Sequence, residues 1–194
     1  MISQKLICAG FGGQGVMSLG QLLTYAGMLE GKEVSWMPSY GPEMRGGTAF
    51  CCVNISDKPI GSPLIGDDAS CAIVMNLPSF QKFEPRVASG GELLVNSSLI
   101  EQLSSRDDLH VYYIPANEVA VRCGSVKMAN MVTGDYPKRE LCLSPENIAK
   151  EFMLKHFQKH YEMIAACLQS WRQVPDWCLP EKEMPVWVQT GKAV

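Results

Sequence analysis

The sequence has no Cys-x-x-Cys pair, no marked excess of one charge and no apolar run approaching the roughly 18 residues that span a bilayer. Lys and Arg number 17 and Asp and Glu number 20, for a net charge of −3. This balance excludes a general attraction to nucleic acid or to an anionic membrane. No small-residue cleavage site follows the first apolar stretch, so we expect no signal peptide and a soluble, cytoplasmic protein.

The eight cysteines are predicted to be reduced, because thiols stay reduced in the cytoplasm. Several lie within apolar stretches, at 49–53 and 70–75, which favours small buried side chains. Since no Cys-x-x-Cys pair is present, we do not expect this chain alone to hold an iron–sulfur cluster, a structural zinc or a thioredoxin-like dithiol.

Strand-like and helix-like segments alternate along the chain. A short apolar run at 5–10 stops at a glycine, a helical segment covers 16–30, and another strand covers 33–37, which together predict a βαβ unit with a parallel strand pair. Further apolar runs predict strands at 49–55, 71–75, 93–95 and 111–114, and helices are predicted at 144–156 and 161–171. The fold class is therefore a three-layer α/β/α sandwich with a Rossmann-like first unit and a mostly parallel, or mixed, sheet.

The end of the chain differs in character from the rest. Prolines recur at 175, 180 and 185, with Trp177 and Trp187 between them, so a regular helix is excluded. We expect one domain over 1–173 and an extended strap over 174–194. The strap lies either on its own domain or across a partner protein.

The helical segment that begins at Val16 is apolar almost all the way round. A helix that covers the outside of a lone domain carries a polar face, so this one is either central in its own domain or covered by another subunit. We expect the isolated chain to form a homodimer through uncovered apolar surface.

A glycine loop follows the first predicted strand. Gly10-Phe-Gly-Gly-Gln-Gly15 satisfies G-x-G-x-x-G between a strand and a helix, where free N–H groups can bind phosphate. A dinucleotide site also needs an acidic residue at the end of the second strand, but Glu33 stands at its start. NAD and FAD are therefore disfavoured, while another phosphate-bearing ligand and a purely structural turn remain open.

The second candidate feature is the loop at 38–47, in which Glu43 and Arg45 are the only charged residues. Arg45 could clamp an anion with Glu43 as its orienting partner, or the two could form a structural ion pair, which we favour because no nucleophile accompanies them.

These motifs resemble the gamma subunit of 2-oxoacid:ferredoxin (acceptor) oxidoreductases. The likeness covers about 4–132 and is carried by Gly12-Gly-Gln-Gly-Val16, Ser39-Tyr-Gly-Pro-Glu-Met-Arg-Gly-Gly47, Ile60-Gly-Ser-Pro63, Asp68, Gly90-Gly91 and Ala129-Asn-Met-Val132. Beyond 132, Thr133-Gly-Asp-Tyr-Pro137 departs from the family pattern. The Tyr40-Gly-Pro-Glu-Met44 version of the second loop resembles the 2-oxoglutarate and branched-chain enzymes, and 2-oxoglutarate is favoured.

The resemblance implies an enzyme that oxidatively decarboxylates a 2-oxoacid to an acyl-CoA and passes electrons to ferredoxin. It also implies alpha, beta and delta-type partner subunits that carry thiamine diphosphate and iron–sulfur clusters, since this chain has neither the Gly-Asp-Gly opening nor cluster cysteines. Gly10, Gly12, Gly13, Gln14, Gly15 and Arg45 are then candidates for seating coenzyme A or for a subunit interface, and no catalytic or metal-binding residue is assigned.

Other readings of the sequence remain open. His156 and His160 are four apart, but their neighbouring lysines favour a solvated basic face over a metal pair. Asn130 is interpreted as a buried hydrogen-bonding residue in preference to a ligand contact. Rival functions are a free-standing nucleotide-binding oxidoreductase and a non-enzymatic interaction module.

Overall fold

The structure, a computed structural model, describes residues 3–41, 47–122 and 125–134. The strands in these ranges are β1 (Ser3–Phe11), β2 (Glu33–Tyr40), β3 (Thr48–Ser56), β4 (Ala69–Val74), β5 (Val87–Asn96) and β6 (His110–Ile114). The α-helices are α1 (Val16–Leu29), α2 (Leu77–Phe83), α3 (Ala116–Arg122) and α4 (Ala129–Gly134), with short 3₁₀ helices at Glu84–Arg86 and Val126–Met128.

The strands form one mixed sheet in the order β2-β3-β1-β4-β5-β6. β1 pairs in parallel with β4, β4 with β5, and β5 with β6. β3 runs antiparallel to both of its neighbours, β1 and β2. Five strands therefore share one direction, which confirms the predicted mostly parallel, mixed sheet.

The first βαβ unit differs from the prediction in one respect. β1 and β2 run in the same direction, but β3 lies between them, so the expected hydrogen-bonded pair is wrong. β3 follows β2 closely in the chain and returns antiparallel between the two, so β1 and β2 lie two strand spacings apart, about 9.6 Å. Helix α1 connects β1 to β2 and passes over β3. The length of α1 does not reveal that a strand lies between the two strands it connects.

Helices cover both faces of the sheet, and each face has its own core. Alternate residues of β1 point to opposite sides, so Leu6 packs in the cluster beneath α1 while Ile7 packs in the other cluster. The second cluster includes Phe80 and Phe83 of α2, both buried. This arrangement confirms the predicted α/β/α sandwich.

Some element bounds differ from the predictions. β2 continues through Pro38 to Tyr40, where a loop is expected, because proline is tolerated on an edge strand. α2 is not predicted from the sequence, although Asn76 caps it by accepting the Ser79 N–H at 2.8 Å and Pro78 follows in its first turn. α3 is also missed, since seven residues show too little periodicity.

Several predictions fall outside the described residues: Glu43 and Arg45, the helices at 144–156 and 161–171, the His156 and His160 pair, and the strap at 174–194. Within the described ranges, none of the helices is both long and apolar enough to cross a bilayer.

Candidate functional site

The glycine loop joins β1 to α1 at the carboxyl end of β1. Gly13 and Gly15 have φ values of 100° and 76°, a region that residues with a Cβ rarely adopt. The Gly12 N–H donates to the Gly47 carbonyl at 3.1 Å, and the Gln14 N–H donates to the Phe11 carbonyl at 3.1 Å. The first of these bonds holds the loop against the residue that precedes β3.

The side chain of Gln14 holds the loop in place through hydrogen bonds to two backbone groups. Its Oε1 accepts the Phe11 N–H at 2.7 Å, and its Nε2 donates to the Met75 carbonyl at 3.0 Å, at the end of β4. A Cβ on Gly10 would lie 2.7 Å from Gln14 Oε1 and 3.0 Å from both Met75 Cβ and Val16 Cγ1, so any larger residue would displace its neighbours. Gly10 and Gln14 are therefore positioning residues.

Asn130 of α4 holds the other end of the loop. It is buried, and its Nδ2 donates to the Gly15 carbonyl at 3.0 Å. The interpretation of Asn130 as a buried hydrogen-bonding residue is therefore confirmed. The contact joins residues 115 positions apart in the sequence and fixes where α1 begins.

A cavity of about 240 Å³ opens between the glycine loop, the first turn of α1 and the neighbouring ends of β2 and β3. Three of the predicted glycines line it, together with residues from the first turn of α1 and from the ends of β1, β2 and β3. The lining residues are Phe11, Gly12, Gly13, Gly15, Val16, Met17, Tyr40, Gly41, Gly47, Thr48 and Ala49. Small-molecule sites occupy about 300–1,000 Å³, so this cavity matches part of a large ligand.

The described wall of the cavity has no charged side chain; its polar side chains are Tyr40 and Thr48, and the rest of its polar character comes from backbone groups. The first N–H groups of a helix have no carbonyl partner within the helix and carry a partial positive charge. α1 starts at this wall, its N-cap Gly15 makes no side-chain cap bond, and its first turn has no acidic residue. These properties favour an anionic group at this position.

The predicted anion clamp cannot be placed, since Arg45 lies outside the described residues. Gly41 and Gly47, which flank that segment, both line the cavity. Residues 42–46 therefore connect two residues of the cavity wall.

The position of β2 also bears on dinucleotide binding. Glu33, at the start of β2, pairs with Ser56, whereas Tyr40 at the cavity end pairs with Ala49. The acid thus lies at the opposite end of the strand from the cavity, and β3 separates β2 from β1. The ribose-binding geometry of a dinucleotide fold is not formed by these strands.

Two contributors to the site are missed by sequence reasoning. Tyr40 is 66% exposed at the cavity and lies on an extended β2, where a loop is predicted. Asn76 donates from Nδ2 to Gln14 Oε1 at 3.4 Å and so supports the loop through its side chain. Its place before Leu77-Pro78 is a helix-start signal that could have identified it.

The cysteines of the described ranges, Cys8, Cys51, Cys52 and Cys71, are buried free thiols, as predicted for them. Among the described residues, no three potential metal ligands of the His, Cys, Asp or Glu type come together.

Comparison with known proteins places this fold in a family. Residues 5–173 match the family described as pyruvate ferredoxin/flavodoxin oxidoreductase. The chain is 42% identical over 124 residues to the ketoisovalerate oxidoreductase subunit VorA of Methanothermobacter thermautotrophicus, covering 64% of this chain and 25% of that protein. It is 29% identical over 175 residues to the 2-oxoglutarate synthase subunit KorC of Methanocaldococcus jannaschii, covering 82% of this chain and 93% of KorC. The chain thus spans about a quarter of the first relative and nearly all of the second.

Two solved structures share the fold. A 2-oxoglutarate:ferredoxin oxidoreductase from Magnetococcus marinus, with 2-oxoglutarate, coenzyme A and succinyl-CoA bound, superimposes with a TM-score of 0.79 at 20% identity, over 89% of this chain and 30% of that one. The gamma subunit of a keto/oxoacid ferredoxin oxidoreductase from Geobacter sulfurreducens superimposes with a TM-score of 0.73 at 23% identity, over 88% and 97% of the two chains.

Proposed function

The chain belongs to the pyruvate ferredoxin/flavodoxin oxidoreductase family, and on that premise we propose that it is the gamma-type subunit of a hetero-oligomeric 2-oxoacid:ferredoxin (acceptor) oxidoreductase. The assembled enzyme oxidatively decarboxylates a 2-oxoacid to an acyl-CoA and passes the electrons to ferredoxin. The match in length to KorC and to a solved gamma subunit supports this role.

The reactive cofactors are assigned to the alpha, beta and delta-type partner subunits. Thiamine diphosphate and iron–sulfur clusters supply the decarboxylation and electron-transfer chemistry when bound there. The sequence has no Gly-Asp-Gly opening for thiamine diphosphate. The described cysteines are buried, and among the described residues they form no group of three potential ligands that would suit a cluster.

The observation that carries the site proposal is the cavity at the glycine loop. Its wall combines helix N-terminal amides with glycines that let a phosphate approach the backbone, and coenzyme A is the phosphate-bearing substrate of this reaction. At about 240 Å³ the cavity suits a phosphate-bearing part of coenzyme A. Gly12, Gly13 and Gly15 line it, Gly10 and Gln14 hold its shape, and Arg45 is assigned to the adjacent loop as an anion-binding side chain.

2-Oxoglutarate is the proposed acid, supported by the Tyr40-Gly-Pro-Glu-Met44 loop and by the similarity to KorC. Ketoisovalerate is the second candidate, favoured by the higher identity of 42% to VorA. The described cavity has no charged side chain that distinguishes a dicarboxylate from a branched acid, so the choice is assigned to the partner subunits.

Reconstitution tests this function. The chain is co-expressed with the alpha, beta and delta-type subunits of its own source, and CoA-dependent reduction of ferredoxin is followed with 2-oxoglutarate and with ketoisovalerate in parallel. We expect turnover from the complex, a higher kcat/KM for 2-oxoglutarate, and none from the chain alone. Turnover by the isolated chain, or full turnover by a complex without it, would contradict the proposal. A preference for ketoisovalerate would overturn the substrate assignment only.

A further inference from the structure

Two of the buried cysteines face each other across the sheet. Cys8 of β1 is the direct antiparallel partner of Cys51 of β3. Both are 0% exposed and belong to the same core cluster beneath α1. Sequence reasoning misses this pair, because the two cysteines are 43 positions apart and meet only through the strand pairing of β1 and β3.

Their backbone geometry suits a disulfide. Directly opposed residues of an antiparallel pair have Cα atoms about 4.5–5.5 Å apart, and disulfides span Cα distances of about 4.4–6.8 Å. Cys52 points to the opposite core cluster, and Cys71 is paired with Leu6 on β1, two positions from Cys8. Cys51 is therefore the only directly opposed partner of Cys8 among the described cysteines.

The surroundings of Cys51 distinguish it from an ordinary core thiol. A methyl group at Gly20 of α1 would overlap Cys51 Sγ and would lie 3.0 Å from Nε1 of Trp36, so both atoms converge on the same point of the helix. Trp36 Nε1 is buried and makes no hydrogen bond of ordinary geometry. Glycine inside a helix costs about 1 kcal/mol relative to alanine, and at Gly20 it makes room for this cluster.

The two thiols differ in acidity. The neighbouring Cys51 and burial raise the pKa of the Cys8 thiol well above its ordinary value. The neighbouring Cys8, with a further contribution from the nearby Trp36, lowers the pKa of Cys51 despite its burial. The thiolate is the reactive form of cysteine, so these directions favour Cys51 as the nucleophile of the pair.

The pair also lies next to the cavity. The Cys51 thiol is 3.5 Å from the carbonyl oxygen of Val16, within reach to donate to it, and Val16 lines the cavity. Val16 lies in the first turn of α1, so the thiol contacts the backbone of a residue that lines the cavity.

We propose that Cys8 and Cys51 form a redox-active dithiol that a small oxidant of the peroxide or azodicarboxamide class converts to a disulfide. Two S–H bonds are lost and one Sγ–Sγ bond forms. Two electrons and two protons pass to the oxidant, which reduces hydrogen peroxide to two waters or the N=N bond of diamide to a hydrazine. Oxidation removes the Cys51 hydrogen that can be donated to the Val16 carbonyl. Because Val16 lines the cavity, oxidation therefore changes a contact of the cavity wall.

Diamide treatment of the purified full chain tests the proposal. Peptide mapping by mass spectrometry is done on the wild-type chain and on Cys8→Ala, Cys51→Ala, Cys52→Ala and Cys71→Ala variants, with circular dichroism as the folding control. We expect a link between the peptide of Cys8 and the peptide of Cys51, a mass decrease of two hydrogens, and persistence of the link in Cys52→Ala and Cys71→Ala. The wild-type result stands by itself if a variant fails to fold.

Trp36→Phe provides a second test, because it removes the indole N–H that favours the Cys51 thiolate. We expect disulfide formation to slow by roughly fivefold near neutral pH, since the rate follows the thiolate fraction, with Trp187→Phe as the control for loss of a tryptophan elsewhere. A link between Cys8 and Cys71, or no link when the same diamide dose oxidises the unfolded chain, would overturn the dithiol. An unchanged rate in Trp36→Phe would overturn the role of Trp36.

Discussion

Gly15 is required by two independent constraints at the start of α1. Its φ of 76° disfavours any residue with a Cβ. A Cβ there would also lie 2.6 Å from Nδ2 of Asn130, the atom that donates to the Gly15 carbonyl. Backbone conformation and side-chain packing thus select glycine at the same position.

We predict that Gly15→Ala lowers the free energy of unfolding by about 2–3 kcal/mol, from left-handed strain and from overlap with Asn130. In an Asn130→Ala background the overlap is absent, so the same change should cost about 1 kcal/mol less. Denaturant unfolding of the four proteins measures this coupling. Equal costs in the two backgrounds would mean that Asn130 does not constrain Gly15.

The glycine spacing predicts a tight turn between a strand and a helix, and that turn is present. It does not show which glycine faces a ligand. A Cβ added to Gly10 would meet Gln14, and one added to Gly15 would meet Asn130. A Cβ added to Gly13 would meet no atom within 4 Å. That division depends on side chains from distant segments, such as Asn130, which no local pattern can reveal.

At the scale of elements, the length of the apolar segment and its flanking glycines predict the position of α1 to within one residue, and short apolar runs locate every strand of the described sheet. The strand order is not predictable in the same way. β3 is an apolar run like its neighbours, and nothing in its composition shows that it lies between β1 and β2 in the opposite direction. The predicted strand ends at 37, before Pro38, whereas β2 continues to Tyr40. An edge strand tolerates a proline that a central strand would exclude.

An ion pair joins the start of β1 to the loop before β4. Lys5 Nζ contacts Asp68 Oδ2, and the pair is largely exposed, at 40% and 56% of the two side chains. The lysine lowers the pKa of Asp68 below its usual value of 3.8. The pair therefore contributes stability above the usual pKa of the carboxyl group and loses it as the pH falls through the lowered value in the folded state.

We predict that Asp68→Asn lowers stability by less than about 1 kcal/mol at neutral pH, because exposed ion pairs contribute little. The difference from wild type should shrink in acid and in high salt. Asp67→Asn is the comparison: Asp67 is 86% exposed and its ion pair with Arg86 is longer, at 3.4 Å, so we expect a smaller loss of stability there. Urea unfolding from pH 7 to pH 3 measures the effect, and a difference that grows in acid would contradict it.

At the scale of the whole molecule, α1 leaves part of its apolar surface uncovered. Tyr25, Met28 and Leu29 are 44%, 54% and 42% exposed, whereas Leu19, Leu22 and Leu23 are buried against the sheet. The expected burial of this helix on most sides is therefore not reached within the described ranges. Homodimer formation by the isolated chain stays a prediction, as do the domain boundary at 173 and the strap that follows it.

The proposed role of this subunit in the whole enzyme depends on coenzyme A binding at its glycine cavity. Gly13 and Gly31 offer a matched comparison. Both have positive φ, 100° and 70°, and a Cβ on either meets nothing within 4 Å. Alanine therefore imposes the same kind of backbone strain at both sites, but only Gly13 lines the cavity.

The most direct test is the KM for coenzyme A of the reconstituted enzyme with Gly13→Ala and with Gly31→Ala, once both variants are shown to assemble. We predict a rise of roughly tenfold for Gly13→Ala, equivalent to about 1.4 kcal/mol of binding free energy, and no change for Gly31→Ala. An unchanged KM in Gly13→Ala, or an equal rise in both variants, would contradict coenzyme A binding at the glycine cavity.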